Sequence, residues 1–174
     1  EYSNGIKENI ITKRFRKFFI PVVNAEDHID KKICRLCKGR CCKKMGCHIS
    51  PVQMIDCSSE SIIKLIEETK SVSIDWWEPD DEYDDKVFFL RIRNKNAPAI
   101  DPTFGGECLL INEKGCMLSD DIRPYGGLFL IPVDNDGCIP RYTKKDCVDE
   151  WAKEPYCSEL TKAYEYFNER QGEG

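Results

Sequence analysis

The sequence predicts a small single domain of α+β class, with short antiparallel strands and helices organised around a cysteine-ligated metal site. Three observations lead there. Residues 86–93 (KVFFLRIR) alternate as a half-buried strand does, and hairpin patterns follow them. Residues 58–70 and 144–168 carry apolar side chains at helical spacing. The third observation is the cysteine content: 11 among 174 residues, six of them between Cys34 and Cys57. A chain of this length is one ordinary domain. Residues 1–174 therefore read as one cysteine-cluster metal-binding domain, with residues 1–25 as a basic N-terminal arm.

In that arm Lys13, Arg14, Arg16 and Lys17 surround Phe15, Phe18 and Phe19. The aromatics are expected to pack on the body, and the charges offer a second use as a docking arm for an acidic partner. Ser50-Pro51 is expected to open a helix with Val52, Met54 and Ile55 as its apolar face. In SSESIIKLIEETK a serine stands at the start, and Ile62, Ile63, Leu65 and Ile66 form the apolar stripe. Residues 75–85 hold seven carboxylates around Trp76, Trp77 and Tyr83, with Pro79 arguing against regular structure. They are expected to be a solvated loop; as a recognition loop, the two tryptophans would anchor it.

Beyond the strand 86–93, residues 107–111 and 115–118 are expected to pair around the turn Asn112–Gly115. GGLFLIPV, residues 126–133, reads as another strand, followed by CIPRY, residues 138–142. Residues 144–168 read as helix with a break near Pro155, burying Cys147, Trp151, Leu160, Tyr164 and Phe167.

With 26 Lys+Arg against 31 Asp+Glu, the net charge is -5, which disfavours a globally basic nucleic-acid binder. No window reaches 18 consecutive apolar residues, so no membrane span is expected. FFIPVV is short and broken by Pro21, unlike a signal-peptide core. An odd cysteine count does not fit a complete disulfide framework. A reducing cytoplasmic setting is expected, where clustered thiols act as metal ligands or redox groups.

The densest signal is Cys34-Arg-Leu-Cys37-Lys-Gly-Arg-Cys41-Cys42. A C-x2-C turn brings two thiolates to one metal, and a third follows across Gly39. Structural zinc takes four N/S ligands and a four-iron cluster takes four thiolates, so the second half must contribute. Its candidates are Cys108, Cys116 and Cys138. Seven Lys and Arg between positions 31 and 44 would offset the residual thiolate charge and favour ionised cysteine. The adjacent Cys41 and Cys42 do not converge easily on one ion. Either one ligates while the other packs, or they serve different metals or different atoms of a cluster. Cys47-His48 forms a mixed pair of donors, although His48 reads first as a turn residue, and His28 is a weaker candidate. Cys57, Cys147 and Cys157 stand alone on apolar faces and read as core.

This block, followed by Cys108-Leu109-Leu110, Cys116 and Arg123-Pro124, resembles the YkgJ-type cysteine-cluster family, also described as the CxxCxxCC zinc- or iron-chelating domain. The resemblance spans most of residues 34–132. It implies a metal-organised domain binding an iron–sulfur cluster or zinc. A similar motif occurs in flagellin lysine methylases, which extends the implication to protein modification. Two departures matter. The family has two residues between the second cysteine and the pair; here there are three, Lys38, Gly39 and Arg40. The family also places a cysteine after Arg-Pro, where this chain has Gly126-Gly127. Cys138 is the nearest downstream replacement, and without it the site has an open position. Arg123 is expected at the cofactor, its guanidinium offsetting thiolate charge or binding backbone carbonyls.

Three functions follow as expectations. The first is an iron–sulfur protein for electron transfer or substrate activation, with a protein partner as redox donor or as the protein modified. The second is a structural-zinc interaction module. The third is an enzyme at an unsaturated metal, with Glu107, Asp120, Asp121 and Tyr125 as acid/base candidates.

Overall fold

The computed structural model describes residues 8–29, 46–102, 105–133 and 137–171. Helix α1, Ile10–Arg16, begins where the Asn9 side chain accepts the Thr12 backbone N–H. Helix α2, Ser59–Thr69, starts on Ser58, whose hydroxyl accepts the Ser61 N–H, as the serine at that position suggested. It stops at Lys70, which takes a left-handed conformation. Two further helices, α4 (Lys144–Trp151) and α5 (Tyr156–Gln171), flank Pro155. A reciprocal pair of bonds between Thr143 and Asp146 fixes the start of α4.

A three-stranded antiparallel sheet forms the centre. Its order is β1 (His48–Ile49), β3 (Val87–Ile92), β2 (Val72–Trp77). His48 pairs with Arg91, and Ser73 pairs with Arg91 from the other side. Both faces of β2 and β3 are covered, so their buried residues run almost continuously. On one face Phe88 stacks on Tyr164 of α5, with ring centroids 4.3 Å apart. Residues 98–101 run beside β2 in parallel: the Ile74 N–H donates to Ala99 O and the Asp101 N–H to Ile74 O.

Sequence patterning missed β2 because Asp75 interrupts it. The expectation of a solvated loop from residue 75 is corrected here. Asp75 is 4% exposed and its carboxylate bonds Arg91 Nε at 3.0 Å. Arg91 also reaches Asp101 at 2.8 Å. The two tryptophans belong to the strand, and their indole N–H groups are bound by Glu78 and Asp80.

Two small ribbons complete the strands: β4 (Ile111–Asn112) with β5 (Gly115–Cys116), and β6 (Leu130–Val133) with β7 (Gly137–Pro140). The first ribbon lies where the hairpin is expected but is shorter: it pairs two residues a side, with Asn112 and Gly115 inside its strands. Strand β6 starts later than residue 126 because Tyr125–Leu128 forms a single helical turn, α3. Residues 51–53 form only a short 3-10 turn.

The N-terminal arm is part of the body. Phe15 and Phe19 are fully buried and stack on each other. Arg16 binds Asp121 at 2.6 Å and also pairs with Glu8. Asn9 Nδ2 donates to Met117 O at 2.7 Å, and the Thr12 hydroxyl accepts the Ser119 N–H. At Arg16 the positive charge is therefore satisfied within the chain. Among the described residues no helix is long and apolar enough to cross a membrane.

Candidate metal centre

Cys34, Cys37, Cys41 and Cys42 lie outside the described residues. Cys108, Cys116 and Cys138 lie within them. Among the described residues, no group of three or more His, Cys, Asp or Glu converges as a metal site.

Cys108 is 4% exposed. It bridges Asn94 in antiparallel fashion, just past the end of β3. Burial raises its thiol pKa to about 11, and the charge of Cys116 adds to that rise. The backbone amides of Leu110 and Ile111 act the other way, stabilising its thiolate by hydrogen bonding. Cys116 follows on β5, opposite Ile111. The Ile111 N–H donates to the Cys108 carbonyl at 3.3 Å, which holds the start of the β4–β5 ribbon.

Asn94 connects this pair to the other half of the pattern. Its Oδ1 accepts the Gly46 N–H at 3.0 Å, and its Nδ2 donates to Gly105 O at 3.1 Å. Gly46 follows directly on residues 30–45, and Gly105 directly precedes the Cys108 segment. The Cys47 carbonyl in turn accepts the Ile92 N–H.

Cys138 lies on β7, opposite Pro132, and is partly buried. The structure also gives the reason for glycine at 126 and 127. A Cβ on Gly126 would stand 2.5 Å from His48 N, and one on Gly127 would stand 3.2 Å from Cys47 Sγ. The turn α3 lies directly on the Cys47–His48 backbone, which leaves no room for a side chain at 126. Gln53 holds that turn: its Nε2 donates to Arg123 O at 3.0 Å, and its Oε1 accepts the Tyr125 N–H at 2.7 Å. No sequence pattern pointed to Gln53 or Asn94, since a single amide carries no periodicity.

The Arg123 guanidinium binds Asp120 at 3.0 Å, and its aliphatic stem lies against Gly127. Cys47 and His48 have different neighbours: the Cys47 sulfur meets Gly127, whereas the His48 ring tilts on Phe89 at 5.7 Å. Buried beside Lys144 and Arg91, His48 has its pKa lowered to about 4, mainly by desolvation. Its Nε2 is buried with no hydrogen-bond partner. His28 packs edge-on against Phe129. Of the acid/base candidates, Glu107 pairs with Lys95, Asp120 with Arg123 and Asp121 with Arg16. Cys147 is fully buried in the core, as expected. Cys57 rests its sulfur on Pro51 O at 3.2 Å, and burial raises its pKa to about 11. Cys157 is half-buried on α5, with its thiol pKa raised by desolvation.

Comparison with protein-family models, curated proteins and solved structures gives no match. The functional reading rests on the cysteine pattern and this geometry.

Proposed function

We propose that this chain is a cysteine-cluster metal protein holding an iron–sulfur cluster, used for electron transfer or substrate activation in the modification of a protein or small molecule. The ligands come from Cys34, Cys37 and Cys41 or Cys42 in the first half and from Cys108 and Cys116 in the second, with Cys138 the candidate to replace the ligand missing at Gly126-Gly127. The observation that carries the reading is the cysteine pattern itself, six cysteines between Cys34 and Cys57 with Lys and Arg among them, beside a buried Cys108 at the end of β3 and Cys116 on β5. Hydrogen bonds to ligating sulfur and exclusion of water are the means by which a protein sets the properties of such a centre.

When bound, the cluster supplies one-electron chemistry. The chain's own residues hold and shield it. Leu110, two residues beyond Cys108, is buried with it in the core. The Arg123–Asp120 pair and the Gln53 amide fix the turn that carries Gly126 and Gly127. The setting is a reducing cytoplasm, with a protein as donor or target. Neither a membrane nor a nucleic acid is the proposed partner.

Structural zinc is the second reading. The packing of Cys108 within the hydrophobic core favours it, because a metal there would tie the end of β3 to the β4–β5 ribbon. Protein purified without oxygen separates the two. Iron, acid-labile sulfide and a broad band near roughly 400 nm establish the cluster. A colourless protein with stoichiometric zinc establishes the second reading. A chain that holds neither metal overturns both.

A further inference from the structure

We infer that the outward face of α1 and the adjoining segment 52–55 form a docking surface for a partner protein that presents carboxylates around a short apolar run. The surface is built without any cysteine. From residue 9 to residue 25 the chain carries Lys13, Arg14, Arg16 and Lys17 and not one carboxylate, in a protein whose net charge is -5. Arg16 is satisfied by Asp121 and Glu8. Lys13, Arg14 and Lys17 are exposed, and among the described residues none of the three makes an ion pair. With exposed Ile10 they stand at positions i, i+3, i+4 and i+7 through α1 and its C-cap, which is one face of a helix.

Apolar side chains stand open in the same stretch and in the segment paired with it. The Ile20 N–H donates to Gln53 O at 2.7 Å and the Ile55 N–H to Phe18 O at 2.9 Å, one on each side of an antiparallel bridge between Phe19 and Met54. Phe19 and Met54 are buried, whereas Ile20 is 49% and Ile55 59% exposed. In this register the two isoleucines are diagonal neighbours across the pair. Exposed Val52 adjoins Gln53, and exposed Val23 lies toward the border, before Glu26 and Asp27. Asp56, next to Ile55, is bonded to the Ser58 N–H and hydroxyl.

This composition selects the occupant. Unpaired cations beside an apolar centre match an acidic partner with an apolar anchor. The backbone bonds at Ile20 and Ile55 hold the anchor site in place, which lowers the ordering cost of docking. A single-stranded nucleic acid would ask for exposed aromatic rings, but Phe15, Phe18 and Phe19 are buried. A helix lying on lipid buries its apolar face there, but Thr12 and Phe15 of α1 are already packed on the body.

The test titrates the full chain against a fluorescent peptide of about 18 residues, with leucines at helical spacing flanked by glutamates. Anisotropy should show binding that weakens about tenfold or more as salt rises from about 0.05 to about 0.5 M. Peptides with glutamine for each glutamate, or serine for each leucine, should bind about tenfold or more weakly. Lys13→Glu with Lys17→Glu should have the same effect, as should Ile20→Ser with Ile55→Ser. Lys114→Glu with Lys153→Glu changes the net charge equally at exposed positions elsewhere and should leave binding unchanged. If the isoleucine pair does not fold by circular dichroism, the lysine pair and the three peptides carry the comparison. No binding of the acidic peptide up to about 1 mM overturns the inference. So does equal binding of the glutamine or serine peptide, or equal loss in the control pair. Flotation with phosphatidylcholine–phosphatidylserine vesicles that is lost in the lysine pair overturns it in favour of a lipid surface. Dimerisation in sedimentation velocity that is lost in the isoleucine pair overturns it in favour of a second copy of the chain. Metal content enters none of these readouts, so the metal-site reading stands or falls separately.

Discussion

Gly126 lies so close to His48 that a methyl group on its α-carbon would stand 2.5 Å from the His48 backbone nitrogen. That atom is backbone and has no rotamer to escape into. Gly126→Ala is therefore expected to destabilise the fold by about 1–3 kcal/mol, the usual range for overpacking. For a chain of this size that lowers the melting temperature by roughly 2–4 °C per kcal/mol. An unchanged thermal melt would refute the close packing of α3 on β1.

His48 also predicts a pH dependence. Its imidazole is held neutral, with a folded pKa of about 4 against 6.5 for the free group. The unfolded chain binds the proton first, so the stability His48 contributes is present above pH 6.5. It is lost as pH falls from there toward 4. The full loss is about 3 kcal/mol by linkage. Urea midpoints at pH 7 and pH 4.5 should diverge in the native chain and diverge less in His48→Phe. Equal divergence in both chains would assign the effect elsewhere.

Arg91 is fully buried between two carboxylates, Asp75 at 3.0 Å and Asp101 at 2.8 Å. Burial pushes the Asp75 carboxyl up, against the pull of Arg91 and of the Trp76 N–H. Removing the cation leaves both acids buried. Arg91→Leu is expected to cost about 3–5 kcal/mol, read from denaturant unfolding. A loss under about 1 kcal/mol would mean that the carboxylates find other partners.

Metal retention should sort the cysteines. Cys108→Ser and Cys116→Ser, like Cys34→Ser and Cys37→Ser, are expected to abolish it. Cys57→Ser and Cys157→Ser are expected to leave it intact. Loss of metal from Cys157→Ser would show that the site has been assigned to the wrong thiols. Cys138→Ser decides whether the β6–β7 ribbon contributes.

Where the residues of one element share a face, the sequence was legible. The serine before α2, the stripe Ile62–Ile66 and the buried series Cys147, Trp151, Leu160 and Phe167 all follow from period and capping alone. Strand β2 was hidden because its polar face, Ser73 and Asp75, is buried against Arg91 rather than solvated. An outer strand whose acid is buried against a neighbouring arginine reads from sequence as a loop. The turn at 125–128 was hidden because the glycines that invite a strand reading serve a contact with β1. At the candidate site, the second-half thiols were legible as cysteines. The amides that hold their surroundings, Asn94 and Gln53, were not, because each bonds a partner distant in sequence, Gly46 at 48 residues from Asn94 and Arg123 at 70 from Gln53.

The strip of chain beside β2 has a bearing on behaviour at high concentration. An open strand edge is a template on which a second molecule can add itself. Here residues 98–101 already occupy the backbone groups of Ile74, and the opposite border, β1, is only two residues long. At Ile74, therefore, a neighbouring molecule finds no open backbone group to pair with.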